Sequence, residues 1–202
     1  MWTSYKIIYC YKQLLNIKTE LRAWRLWVKK NKMKLKNTWV YNYAFLSLIM
    51  IKTHIHWMKI ALKEAEKAYT KNEIPVGAVI IHNGKIIGKG YNQVEKLKDP
   101  TAHAEIIAIT SAVNTIGSKF LENCSMYVTL EPCIMCSGAI ILSRLENLIF
   151  GAKDPKSGAF GSVYNINEDN KLNHKVNVIS GILEEECALI IKKFFLKLRN
   201  DS

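Results

Sequence analysis

Val76-Gly77-Ala78-Val79-Ile80-Ile81-His82, then Asn83-Gly84, then Lys85-Ile86-Ile87-Gly88-Lys89-Gly90-Tyr91 read together as a β-hairpin. Two runs rich in Val and Ile flank Asn-Gly, the dipeptide best suited to a two-residue turn with positive φ. Upstream, Ile55, Met58, Ala61, Leu62, Ala65, Ala68 and Tyr69 recur at helical spacing, and that helix is expected to end near Lys71–Asn72, before Pro75. Downstream, a polar loop passes through Asp99-Pro100. The pattern then predicts a helix from His103 to Val113, a strand from Ser125 to Leu130 and a helix from Pro132 to Ser143. Further strands are expected at Leu148–Gly151 and Val176–Ile179, and a long amphipathic helix at Leu183–Arg199. Strands that alternate with helices after an opening hairpin imply an α/β fold: three layers, α/β/α, around a mixed sheet of about five strands.

Charge divides the chain. Residues 1–49 hold ten of the 29 Lys and Arg but one of the 17 acids, Glu20, for a net charge of +9. Residues 50–202 carry only +3. We therefore expect a basic N-terminal extension, 1–49, and a globular domain, 50–202. Three readings of the extension stay open: an organelle transit peptide, a basic arm for RNA, or a wrongly assigned start ahead of Met50. The first would place the protein in an organelle; otherwise it is expected in the cytoplasm. No cleaved signal peptide is expected, because the chain opens with aromatic residues and no apolar core segment lies near its start. The longest apolar run, Trp39 to Ile51, is interrupted by Asn42 and falls short of the ~20 residues of a membrane span.

The chemistry concentrates in His103-Ala104-Glu105 and Pro132-Cys133-Ile134-Met135-Cys136. Each segment is expected to open a helix, Pro132 suiting the first turn because its missing N–H costs nothing there. Cys133 and Cys136, three apart, then share a helix face at a terminus whose partial positive charge favours thiolate. With His103 they make three ligands for one zinc ion, and an open fourth position marks a catalytic rather than a structural centre. Zinc brings the pKa of a water there from ~15.7 toward ~7. Glu105 is the candidate to take a proton from that water and pass it to a ring nitrogen and a leaving amine, which is hydrolytic deamination. Cys133-x-x-Cys136 alone would also suit a redox pair, but that reading gives His103 and Glu105 no role. Cys124 could close the zinc site as a fourth ligand, yet it precedes a strand and is expected at that strand's far end. Cys10 reads as a dispensable thiol, Cys187 as a core residue and His82 as a solvated loop residue; His54, His56 and His174 carry no functional expectation.

These two segments carry the zinc signature of the cytidine-deaminase-like superfamily. Trp57-Met58, Pro75 to Val79, Asn92, Asp99 to Glu105, Tyr127 to Cys133, Phe150 to Asp154, Cys187 and Phe194-Phe195 narrow the match, and the chain from about Ile55 to Arg199 resembles the bacterial tRNA-specific adenosine deaminases. The resemblance implies one Zn²⁺ per subunit on His103, Cys133 and Cys136, and proton transfer by Glu105. It implies a flipped base held by Asn92, with Val76 and Ala104 in the pocket wall. It also implies RNA contacts by Lys153, Asp154 and Lys156, and support of the anticodon loop by Phe195 and Arg199. The implied substrate is the wobble adenosine of an arginine tRNA, and the implied assembly a homodimer. Leu196 and Leu198 stand where the family more often has basic residues, and residues 1–49 have no counterpart in it. From the residues alone, adenosine and cytidine are not separated. A guanine or cytosine deaminase and a non-catalytic zinc-bearing RNA-binding subunit remain as alternatives, the latter disfavoured by Glu105.

Overall fold

The computed structural model describes residues 38–168 and 171–200, with side chains from Met50 onward. The expectations for residues 1–37, Cys10 included, lie outside the described residues. The chain divides into two compact units, Met1–Leu48 and Ile49–Ser202, and all five strands belong to the second.

Helix α1 spans Thr38–Thr70. It starts well upstream of the expected Ile55, since no Gly or Pro interrupts the segment and its Leu, Met, Ala and Lys are good helix formers. The hairpin follows as β1, Gly77–His82, and β2, Lys85–Tyr91. Asn83 and Gly84 both take positive φ, 48° and 70°, as the two-residue turn requires. A short helix α2, Val94–Leu97, lies in what the sequence presents as polar loop. Then come α3, Ala104–Ile116; β3, Cys124–Leu130; α4, Ile134–Leu142; β4, Asn147–Ala152; β5, Asn177–Ser180; and α5, Glu184–Asn200.

The strand order is β2-β1-β3-β4-β5. β1 runs antiparallel to both β2 and β3, while β3, β4 and β5 run parallel, so the sheet is mixed as expected. Period-two alternation sorts the strands between two cores. Ala78, Ile80, Met126, Val128, Leu148 and Phe150 face α3 and α4. Val79, Ile81, Tyr127 and Ile149 face Met58 and Ala61 of α1, with Leu183 and Cys187 at the start of α5. These are the three layers. Among the described residues, no helix is long and apolar enough to cross a membrane.

The layer that carries the site is drawn unusually close to the sheet. α3 presents Ala104, Ala108 and Ala112, one per turn, and all three are buried. They meet Gly88 and Gly90 of β2: a Cβ at Gly90 would lie 2.1 Å from the Ala104 carbonyl oxygen, and one at Gly88 2.4 Å from that of Ala108. Backbone stands on backbone, which leaves the start of α3 little freedom to shift. Replacing Gly90 by Ala is expected to destabilise the protein by about 3 kcal/mol through overpacking. Gly138→Ala, where no atom lies within 4 Å, should leave it unchanged or slightly more stable. Denaturant unfolding of the two variants checks the contrast.

Candidate active site

Two helix N-termini define the site. His103 precedes α3 and Cys133 precedes α4, both in extended conformation, and neither side chain caps its own helix. Both side chains are thereby free to turn toward each other. Cap duty for α3 falls to Asn92, just past β2, whose Oδ1 accepts the Ala104 N–H at 2.9 Å. α4 starts two residues later than expected, at Ile134 rather than Pro132. Pro132 sits ahead of the cap, and its carbonyl accepts the Ala159 N–H at 2.9 Å, tying it to a loop instead.

The His103 Nδ1 lies 3.5 Å from Cys136 Sγ and 3.7 Å from Cys133 Sγ. All three ligand atoms fall within 4.8 Å of one another. Tetrahedral zinc, with Zn–S ~2.3 Å and Zn–N ~2.0 Å, sets N···S separations near ~3.6 Å. The donor set therefore fits that ion in both chemistry and spacing. Cys124 begins β3, at the end remote from the ligands that follow Leu130, and is not among them. Cys187 is a core residue, buried against Gly151.

Electrostatics separate the groups. The Cys133 thiol is pulled down to about 4 by a hydrogen bond with Cys136 and by His103, against the opposing effect of burial. Its partner Cys136 is raised, because that same hydrogen bond keeps its proton and because it is buried. The His103 imidazole is raised, first by its hydrogen bond with Cys133, with burial opposing. Burial pushes the Glu105 carboxyl up to about 7. A carboxyl poised there can both hold and release a proton near neutrality.

His103, Glu105 and Cys133 line a cavity of about 490 Å³, within the ~300–1,000 Å³ usual for ligand sites. Val76, Asn92, Asp154 and Phe195 also line it. Cys136 and Ala104 are buried. Lys153, Lys156 and Arg199 are exposed and do not line the cavity. Arg199 donates from Nε to the Phe195 carbonyl at 3.3 Å. The Asp154 carboxylate is engaged in its own turn, accepting the Lys156 N–H at 2.9 Å and the Ser157 hydroxyl at 2.5 Å.

Two buried acids of the lining had no role in the sequence reading. Glu73 and Glu131 are each only 2% exposed. Glu73 accepts the N–H groups of Glu95 and Lys96 at 3.2 and 2.8 Å, capping α2. Glu131 holds the loop after β4. The available signal was weak: a carboxylate two residues before Pro75 in one case and directly before Pro132 in the other.

A mixed sheet that brings His, two Cys and Glu together at two helix N-termini defines a zinc-dependent deaminase. The model of the cytidine and deoxycytidylate deaminase zinc-binding region accordingly matches residues 51–152, half of the chain. The tRNA-specific adenosine deaminase of Aquifex aeolicus is 52% identical over 146 residues, 72% of this chain and 96% of its own. That of Bacillus subtilis is 47% identical over 143 residues, 71% of this chain and 89% of its own. A solved structure from studies of A-to-I editing by tRNA:A34 deaminases superposes with a TM-score of 0.65 at 41% identity, over 67% of this chain and 98% of that one. The chain belongs to the family of tRNA-specific adenosine deaminases.

The capping role of Asn92 can be measured apart from chemistry. Asn92→Ala should cost about 1 kcal/mol, a fall in Tm of roughly 2–4 °C for a protein of this size, read by thermal unfolding.

Proposed function

We propose that this protein converts adenosine to inosine at the wobble position of a tRNA anticodon, an arginine tRNA being the expected substrate. The observation that carries the reading is the convergence of one imidazole nitrogen, two thiol sulfurs and a buried carboxyl on a single cavity, in a chain about half identical to its curated relatives. His103, Cys133 and Cys136 would hold one zinc ion per subunit. Zinc supplies a water acidic enough to lose its proton near neutral pH. Glu105 would take that proton and deliver it to the ring nitrogen as the C–O bond forms; it would then take the proton of the new hydroxyl and pass it to the amino group, which leaves as ammonia as the C–N bond breaks and the carbonyl forms. The Asn92 Oδ1 is committed to Ala104, so this residue offers the base its NH₂ donor. Val76 and the Ala104 segment pack beside the base. A single-stranded anticodon loop makes the required base extrusion inexpensive.

Lys153, Lys156 and Arg199, outside the cavity, would meet phosphates, and Phe195, in its lining, would stack on a base. Ile134 and Leu142 of α4, 52% and 79% exposed, flank Gly138 on one helix face, and this apolar strip suits a second copy of the chain. Residues 50–202 carry the activity: this span holds the site and, among the side chains that the structure describes, the fully buried positions of α1, Met58 to Ala68. The working compartment is the cytoplasm, or an organelle if residues 1–49 direct the chain there.

The deciding experiment incubates full-length protein, and a version beginning at Met50, with an arginine tRNA bearing a wobble adenosine. Inosine at that position is expected from both. If neither makes it and free guanine or cytosine is deaminated instead, the tRNA reading is wrong. Glu105→Ala should retain zinc while turnover falls by about three orders of magnitude. Near-normal turnover in that variant would remove Glu105 from the chemistry. Cys133→Ala should lose zinc and thermal stability together, because ligation couples to folding. Full metal occupancy in that variant would overturn the ligand assignment.

A further inference from the structure

The loop that follows β4 forms part of the cavity wall, contributing Asp154 and Ser157 to the lining. This loop is not part of the sheet, and its placement depends heavily on one side chain. Glu131, immediately after β3 and 2% exposed, lies beneath it. Its Oε1 accepts the N–H groups of Phe160 at 3.0 Å and Ser162 at 3.1 Å. Its Oε2 accepts the Asp154 N–H at 3.2 Å and the Ser162 hydroxyl. A carboxylate has about four lone-pair sites, and these four donors satisfy all of them. Burying a charge without such partners would cost several kcal/mol. An apolar residue here would instead strand three backbone N–H groups.

Packing makes the fit specific. A Cβ on Gly158 would lie 2.5 Å from Glu131 Cδ and 2.6 Å from its Oε2, so the loop backbone rests directly on the carboxylate. Glu131 is also tied to its surroundings, donating its own N–H to the Ala152 carbonyl at 2.9 Å. Within the loop, the Asp154 turn is closed by the Gly158 N–H donating to the Asp154 carbonyl at 3.0 Å. The wall is therefore an internally braced turn, fixed to a residue two positions before Cys133.

We infer that Glu131 is a positioning residue for the RNA substrate: its carboxylate sets the Asp154–Ser157 wall, with Lys153 and Lys156 on the exposed side, at a fixed place relative to Cys133. The inference rests on the tRNA reading above for the identity of what the wall meets. The group touches no reacting atom, so its removal should weaken substrate capture and spare the chemical step.

Glu131→Gln in the full chain tests this. Glutamine keeps one acceptor oxygen. Its NH₂ can donate to a reoriented Ser162 hydroxyl but cannot accept the Asp154 N–H. Zinc should remain at one per chain, kcat within about threefold of wild type, and KM for the tRNA should rise about tenfold. Amide exchange at Asp154 should also accelerate. Ser162→Ala removes only the hydroxyl bond and should raise KM by about twofold, giving a milder variant if the first folds poorly. An unchanged KM with zinc retained overturns the inference, as does a fall in kcat at constant KM. If wild-type protein makes no inosine, the substrate reading has failed instead. Amide exchange at Asp154 then still decides whether Glu131 holds the wall: acceleration upholds it and unchanged exchange overturns it.

Discussion

Three ligand atoms within 4.8 Å of one another can come from two helices only if both helices begin at the same place. That convergence is the constraint on which the rest depends. α4 is brought there by β3, which ends at Leu130 beside its parallel neighbour β4. α3 is brought there by contact, its alanines seated on the glycines of β2 with no side chain between. The antiparallel hairpin and the parallel half of the sheet thus have separate tasks. The hairpin supplies the surface that fixes α3, and the parallel strands deliver α4. Asn92 serves the first task, because it follows the hairpin and caps α3. An uncapped α3 would leave the Ala104 N–H unsatisfied in a buried position, next to the ligand that has to stay in place.

Three buried carboxylates share this cavity, and their surroundings assign them different work. Glu73 accepts backbone N–H groups of α2 and Glu131 those of the loop after β4, so both carboxylates hold chain segments. At Glu105 burial outweighs the hydrogen bonds and the nearby His103, and its carboxyl rises to about 7. The residue type is constant and the number of convergent N–H groups differs, which is the usual way one site assigns structural and proton-carrying roles to like groups. An added donor beside Glu105 would lower its proton affinity, and a lost donor beside Glu131 would release a loop.

What was legible in the sequence was local. Asn83-Gly84 specified its turn through φ alone, and Cys133 and Cys136 were joined by a single helical turn. The strand and helix order followed from periods of two and of 3.6, and it was enough to give the mixed sheet. The helix and the loop that were misjudged, α1's start at Thr38 and α2 within the polar stretch, show where local signals fail. α2 is short, and its N–H groups are satisfied by Glu73, 22 and 23 residues away in the chain. Glu131 likewise meets its partners 23 to 31 residues downstream. No period or propensity reports a hydrogen bond across such a separation. Each of these carboxylates sits beside a loop entry and looks, in sequence, like an ordinary solvated acid. Only the fold reveals that each is buried under the backbone it holds, and that the walls of the cavity depend on residues that take no part in the chemistry.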